Sequence, residues 1–89
     1  LIWESGGAMS KTIFTGNHKK LIDVLIEARK KAGLKQSELG ERLGKDQTFV
    51  SLVERYQRRI DVVEFYEYAL ALGEKPERLF SKFIALVVS

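Results

Sequence analysis

The 89-residue chain contains no cysteine, one histidine, one proline and one tryptophan. Without cysteine, neither a disulfide framework nor a thiolate metal site can form. His18 stands alone, so imidazole metal clusters and Ser-His-Asp machinery lack their members. Scattered acids such as Glu38 and Glu41 have no partner set for general acid–base work, and no glycine-rich phosphate loop is present. The expectation is a protein that is not an enzyme and takes no metal or cofactor. The longest apolar run, Phe83 to Val88, falls far short of the roughly 20 residues a bilayer requires. No secretory signal is legible either. Residues 1 to 8 read as a cloning scar, with Met9 as a native start, so Trp3 carries no functional weight. A cytoplasmic location with no membrane contact is expected.

What is present suits one small domain. Hydrophobic residues make up 45% of the chain, ample for a core, although a domain of this size often gains from dimerisation. Charge is distributed unevenly. Residues 11 to 60 hold twelve Lys/Arg against six acids, whereas residues 61 to 89 hold three against five. A polyanion would be steered to the first half.

The pattern is helical throughout, with no internal repeat. Asn17 is placed to cap a first helix to about Ala32, with Leu21, Ile22, Leu25, Ala28 and Ala32 inward and Gly33 ending it. A second helix spans about Gln36 to Leu43, behind the poor cap Lys35, and Gly44 stops it. Asp46 caps a third, about Gln47 to Arg55. After the loop at 56 to 60, Asp61 and Glu64 form a capping box. The fourth helix is expected to bury Val62, Phe65, Tyr66, Ala69 and Leu72 before Gly73. Pro76 opens a fifth, with Leu79, Phe80, Phe83 and Ile84 inward. The fold class is therefore all-α, a compact five-helix domain. Residues 1–16 are a lead-in, 17–80 the domain and 81–89 an apolar extension.

The run from Gln36 to Glu54 carries the function. Its two short helices fold around Gly44, with Leu39, Leu43, Val50 and Val53 inward. Gly40 leaves room where the helix axes approach. Gln47, Thr48 and Ser51 face outward from the second of them. This is the geometry of a helix-turn-helix that offers its second helix to the major groove.

Residues 21 to 80 resemble the lambda-repressor-like (Xre-type) helix-turn-helix family. The matching features are Arg29, Ala32-Gly33-Leu34, Gln36, Leu39-Gly40, Leu43-Gly44, Val50, Val53-Glu54, Leu70-Ala71-Leu72-Gly73 and Leu79-Phe80. The resemblance implies a sequence-specific regulator of transcription, a repressor, whose partner is double-stranded DNA. It implies that Gln47, Thr48, Ser51 and Leu52 lie on the outward face of the recognition helix. Gln36 grips a phosphate, and Arg29 and Glu54 form a largely buried ion pair. Lys45, Arg55, Gln57, Arg58 and Arg59 are the candidates for holding the DNA backbone.

Three positions depart from the family pattern. Tyr56 stands where glycine is common, Leu52 where a polar residue is frequent, and Phe49 where a small or polar residue is usual. With Leu52, Phe49 suits either a thymine methyl or a protein surface. Tyr66 and Tyr68 read as packing or surface residues, His18, Lys35 and Arg42 as surface residues. Phe80, Phe83, Ile84, Leu86, Val87 and Val88 cover nearly every side of a helix, which predicts a homodimer through the fifth helix and tail. The alternatives are a tail folded over the core or against Ile13-Phe14, and a protein-interaction module such as an adaptor or an antitoxin.

Overall fold

The computed structural model describes residues 16–89, so the expectations for residues 1–15, including Ile13-Phe14, lie outside the described residues. Five helices follow one another: α1 (Asn17–Lys31), α2 (Gln36–Arg42), α3 (Gln47–Glu54), α4 (Val62–Leu72) and α5 (Pro76–Val88). α1 packs against α3, α4 and α5. α2 packs against α3 and α4, and α4 also meets α5. One core joins them, built from Ile22, Val24, Leu25, Ala28, Leu39, Val50, Val53, Phe65, Tyr68, Ala69, Leu72 and Leu79.

The helix starts follow local chemistry. Asp46 accepts from the Phe49 amide at 3.2 Å. Asp61 and Glu64 form the expected reciprocal box, with Glu64 N donating to Asp61 at 2.7 Å and Asp61 N donating to Glu64 at 2.9 Å. Lys35 has no acceptor in its side chain, so α2 has half a box: Glu38 accepts from the Lys35 amide at 2.8 Å. Asn17 is not a cap. It is the first helical residue, and Gly16 holds the cap position without a side-chain bond.

The helix ends share one device. At each of α1, α2 and α4 a glycine follows with positive φ (Gly33 +75°, Gly44 +70°, Gly73 +76°). The next residue's amide then bonds back across the last turn, as from Leu34 to Arg29, Lys45 to Gly40 and Glu74 to Ala69. α3 ends the same way, with Gln57 N donating to Leu52 O at 2.9 Å. Its left-handed residue, however, is Tyr56, at φ +63°. A side chain in that conformation costs about 1–2 kcal/mol.

Several helix faces are rotated from expectation. Tyr68 is fully buried, while Val62 and Tyr66 are exposed. The inward stripe of α4 is Phe65, Tyr68, Ala69 and Leu72, at helical spacing. Val62 is the first helical residue and sits beyond the edge of the core, and Tyr66 is turned one position away. On α5, Leu79 is buried and Phe83 packs on the core, whereas Phe80 and Ile84 are exposed at the edge. Phe80 meets Phe65 edge-on, with ring centroids 6.1 Å apart. On α1, Val24 is buried and Ala32 is exposed, because the helix has already ended there. Residues 81–88 are not a separate tail. They continue α5 along α1, where Lys20 Nζ donates to Leu86 O at 3.2 Å.

Gly40 is the tightest point of the helix-turn-helix. A β-carbon there would lie 2.8 Å from Asp46 O and 3.2 Å from Lys45 O, both backbone atoms of the turn. Backbone held between the end of α2 and the start of α3 has little room to give way. Gly40→Ala is expected to lower stability by about 1–3 kcal/mol in thermal unfolding, despite alanine's better helix propensity. An unchanged or higher melting temperature would contradict this close approach.

Candidate nucleic-acid interface

α3 is short and its two faces differ sharply. Val50 and Val53 are fully buried, and Gln47 and Thr48 are exposed at the capped end. Ser51 and Leu52 lie one turn further along and are half-buried. The free end of α3 therefore presents Gln47 and Thr48, with Ser51 and Leu52 set back from it.

The other end of α3 is fixed to the rest of the fold. Glu54 receives Arg29 Nε at 2.6 Å, Arg29 Nη2 at 2.9 Å and Gln36 Nε2 at 3.0 Å. Arg29 Nη1 also donates to Leu34 O at 2.7 Å. The pair's side chains are only 11% and 7% exposed. The bond to Glu54 raises the Arg29 pKa, so the guanidinium stays charged. An isolated buried charge is costly, and removing one partner of such a pair costs about 3–5 kcal/mol. Gln36 thus has one amide hydrogen directed at Glu54 and a second still available.

The residues expected to hold a DNA backbone divide into two groups. Lys45, Arg55, Gln57 and Arg59 are exposed around α3. Arg58 is different. Its guanidinium pairs bidentately with Glu64, at 2.8 and 2.9 Å, and also donates to Arg59 O. Arg58 is therefore a brace between the loop and α4 before it is a free cation. Its guanidinium lies 4.8 Å from the centroid of the Phe49 ring, and Lys45 Nζ lies 5.3 Å from it. Phe49 is accordingly half-buried, packed on the core with two cations over its ring.

Other features were not visible in the sequence. Tyr56 Oη donates to Asp23 Oδ1 at 2.5 Å, and Lys19 Nζ reaches Asp23 Oδ2 at 2.9 Å. Burial alone would raise the Asp23 carboxyl pKa. The Tyr56 hydroxyl and then Lys19 outweigh that and hold it low. The same bond to Asp23 raises the Tyr56 hydroxyl. Arg42 donates to Ala71 O at 3.0 Å and so closes the end of α4 rather than standing as a plain surface charge. His18 is half-buried instead of on the surface. Burial, and then Arg59, lower its pKa. Of the apolar residues on α5, Phe80, Ile84, Leu86 and Val88 are exposed, while Phe83 and Val87 are half-buried.

Among the described residues, no group of acids and histidines could hold a metal ion, and no helix is long and apolar enough to cross a membrane. Besides the exposed apolar residues of α4 and α5, the surface carries a capped, exposed helix end on a basic, tied frame. A helix-turn-helix family profile matches residues 25–79. A solved structure described as an XRE-family like protein from Pseudomonas syringae pv. tomato str. DC3000 is 44% identical. It covers 88% of this chain and 95% of its own, with a TM-score of 0.78. No curated protein matches. The chain belongs to the XRE, lambda-repressor-like helix-turn-helix family of DNA-binding regulators.

The Arg58–Glu64 brace makes a pH prediction. Arg58, and then the Asp61 amide, hold the Glu64 carboxyl below its ordinary value near 4.5. A depressed carboxyl stabilises the fold above its unfolded pKa and loses that contribution as pH falls through the folded value. The gap in melting temperature between wild type and Glu64→Gln should be widest well above the ordinary carboxyl value and narrow as pH falls below it. A gap independent of pH would contradict the charged brace.

Proposed function

We propose that the protein is a sequence-specific repressor that binds a pseudo-palindromic operator as a homodimer. The observation that carries the reading is the exposed, Asp46-capped end of α3, with Gln47 and Thr48 outward on a frame fixed by Arg29 and Glu54. That end enters the major groove. Gln47 pairs with adenine through N6 and N7, Thr48 and Ser51 donate to neighbouring groups, and Leu52 meets a thymine methyl. Gln36, Lys45, Arg55, Gln57 and Arg59 hold phosphates. Arg58 reaches the backbone only as far as its bond to Glu64 allows.

The proposed dimer uses the apolar face of α4 and α5. Val62, Val63, Tyr66, Leu70, Phe80, Ile84, Leu86 and Val88 are all exposed. Depressions of about 200 and 300 Å³ share Val62, Phe65 and Phe80 as walls. Exposed apolar surface of this kind supports a protein interface. It is also what favours the second reading, an adaptor or an antitoxin whose partner occupies the face. Phe49 contributes little to that reading, since Lys45 and Arg58 cover its ring.

Selection of bound duplexes from a random pool tests the function. An enriched inverted repeat is expected. Gln47→Ala should cost about 1–3 kcal/mol and relax preference at one base of each half-site. An unchanged ranking of operator variants would remove Gln47 from base reading. Sedimentation equilibrium should report a dimer at tens of micromolar, and Phe80→Glu should return it to monomer. A monomeric wild type would overturn the dimer and turn attention to a protein partner.

A further inference from the structure

Among the described residues, four helix ends carry the same left-handed turn, and three of them use glycine. The exception follows the recognition helix. There Tyr56 takes the conformation that disfavours a side chain, and it has a contact no glycine could make. Its hydroxyl reaches Asp23 Oδ1 across 33 residues of sequence. Asp23 in turn is held by Lys19, whose ammonium also lies 5.3 Å from the Tyr56 ring.

The position of this tie is as informative as its chemistry. Arg29 fastens Glu54, the last residue of α3, and Asp23 fastens Tyr56, two residues later. Both anchors are on α1. Together they define the direction in which the chain leaves α3. Gln57, Arg58 and Arg59 come next. Gln57 N closes the turn on Leu52 O, so an unwound turn would release this basic stretch at its root.

We propose that Tyr56 is a positioning residue: its bond to Asp23 holds the left-handed turn and aims the basic segment 57–59 at the DNA backbone. The proposal rests on the DNA-binding reading for its functional half only. The tie stabilises a turn that tyrosine alone would resist, so its effects separate from those of simple packing. Removing only the hydroxyl leaves the strained turn without its tie to α1. Replacing the whole side chain by glycine removes the strain as well.

The test compares Tyr56→Phe, Tyr56→Gly and Asp23→Ala with wild type, well below their melting temperatures. Two readouts are needed. Amide hydrogen exchange at Gln57 reports the turn without any DNA. Affinity for a duplex of unrelated sequence, across a salt series, reports the backbone contacts. In Tyr56→Phe and Asp23→Ala, Gln57 should exchange about tenfold faster, while amides in the middle of α1 stay unchanged. Their DNA affinity should fall several-fold with a shallower salt slope. Tyr56→Gly should keep both readouts near wild type, even though lost ring packing lowers its melting temperature. A merely structural role would order the variants by melting temperature instead. Wild-type exchange in Tyr56→Phe, or equal loss in Phe and Gly, would overturn the tie. If wild type binds no duplex, the DNA reading fails while exchange still decides the tie. Altered exchange with unchanged DNA affinity would overturn the aiming role.

Discussion

The carboxylate of Glu54 is the point on which the DNA-facing half of the molecule depends. It is the last residue of α3, yet it accepts from Arg29 on α1 and from Gln36 at the start of α2. Arg29 extends the connection to Leu34 O in the turn between α1 and α2. One nearly buried charge pair therefore fixes three helices and a turn. Such a pair adds little net stability compared with an apolar substitute. What it supplies is angle. The carboxylate and the guanidinium must both be satisfied, and the helices have few arrangements in which they are.

The opposite end of α3 is left free by the same logic. Asp46 satisfies the first turn of the helix without engaging Gln47 or Thr48. Gly40 allows the backbone of the turn at Lys45 and Asp46 to approach α2 more closely than a side chain would permit. The result is a helix held firmly at one end and presented at the other. Charge is arranged to match. Lys45 and Arg58 gather over Phe49, but Arg58 also answers to Glu64, so the edge of the interface is less positive than a count of its arginines suggests.

How much of this was legible depended on the range of the interaction. Asp46, Asp61 with Glu64, and the glycines at 33, 44 and 73 act within a few residues, and the sequence states them directly. Arg29 with Glu54 was reached through family resemblance rather than spacing. Faces of helices were harder. Val62 and Phe80 are apolar at helical spacing, but whether they point inward depends on where the core ends, which is a tertiary fact. Arg58 as a brace, and Tyr56 bonded to Asp23, were not legible, because nothing local brings those partners together. The glycine missing from position 56 was the one available signal. It marked the site without disclosing what replaced the glycine's freedom.

The bond from Lys20 to Leu86 spans 66 residues, whereas α2 and α3 are neighbours in the chain. Closing a long loop costs more entropy than closing a short one, and it has to be met before the contacts form. The order of assembly follows from this. The α2–α3 unit is expected to condense early from contacts near in sequence, and the α1–α5 seam to seal afterwards. Changes in the last turns of α5 would then speed unfolding far more than they slow folding. The reading unit and the seam that closes the domain thus stand at opposite ends of the folding reaction.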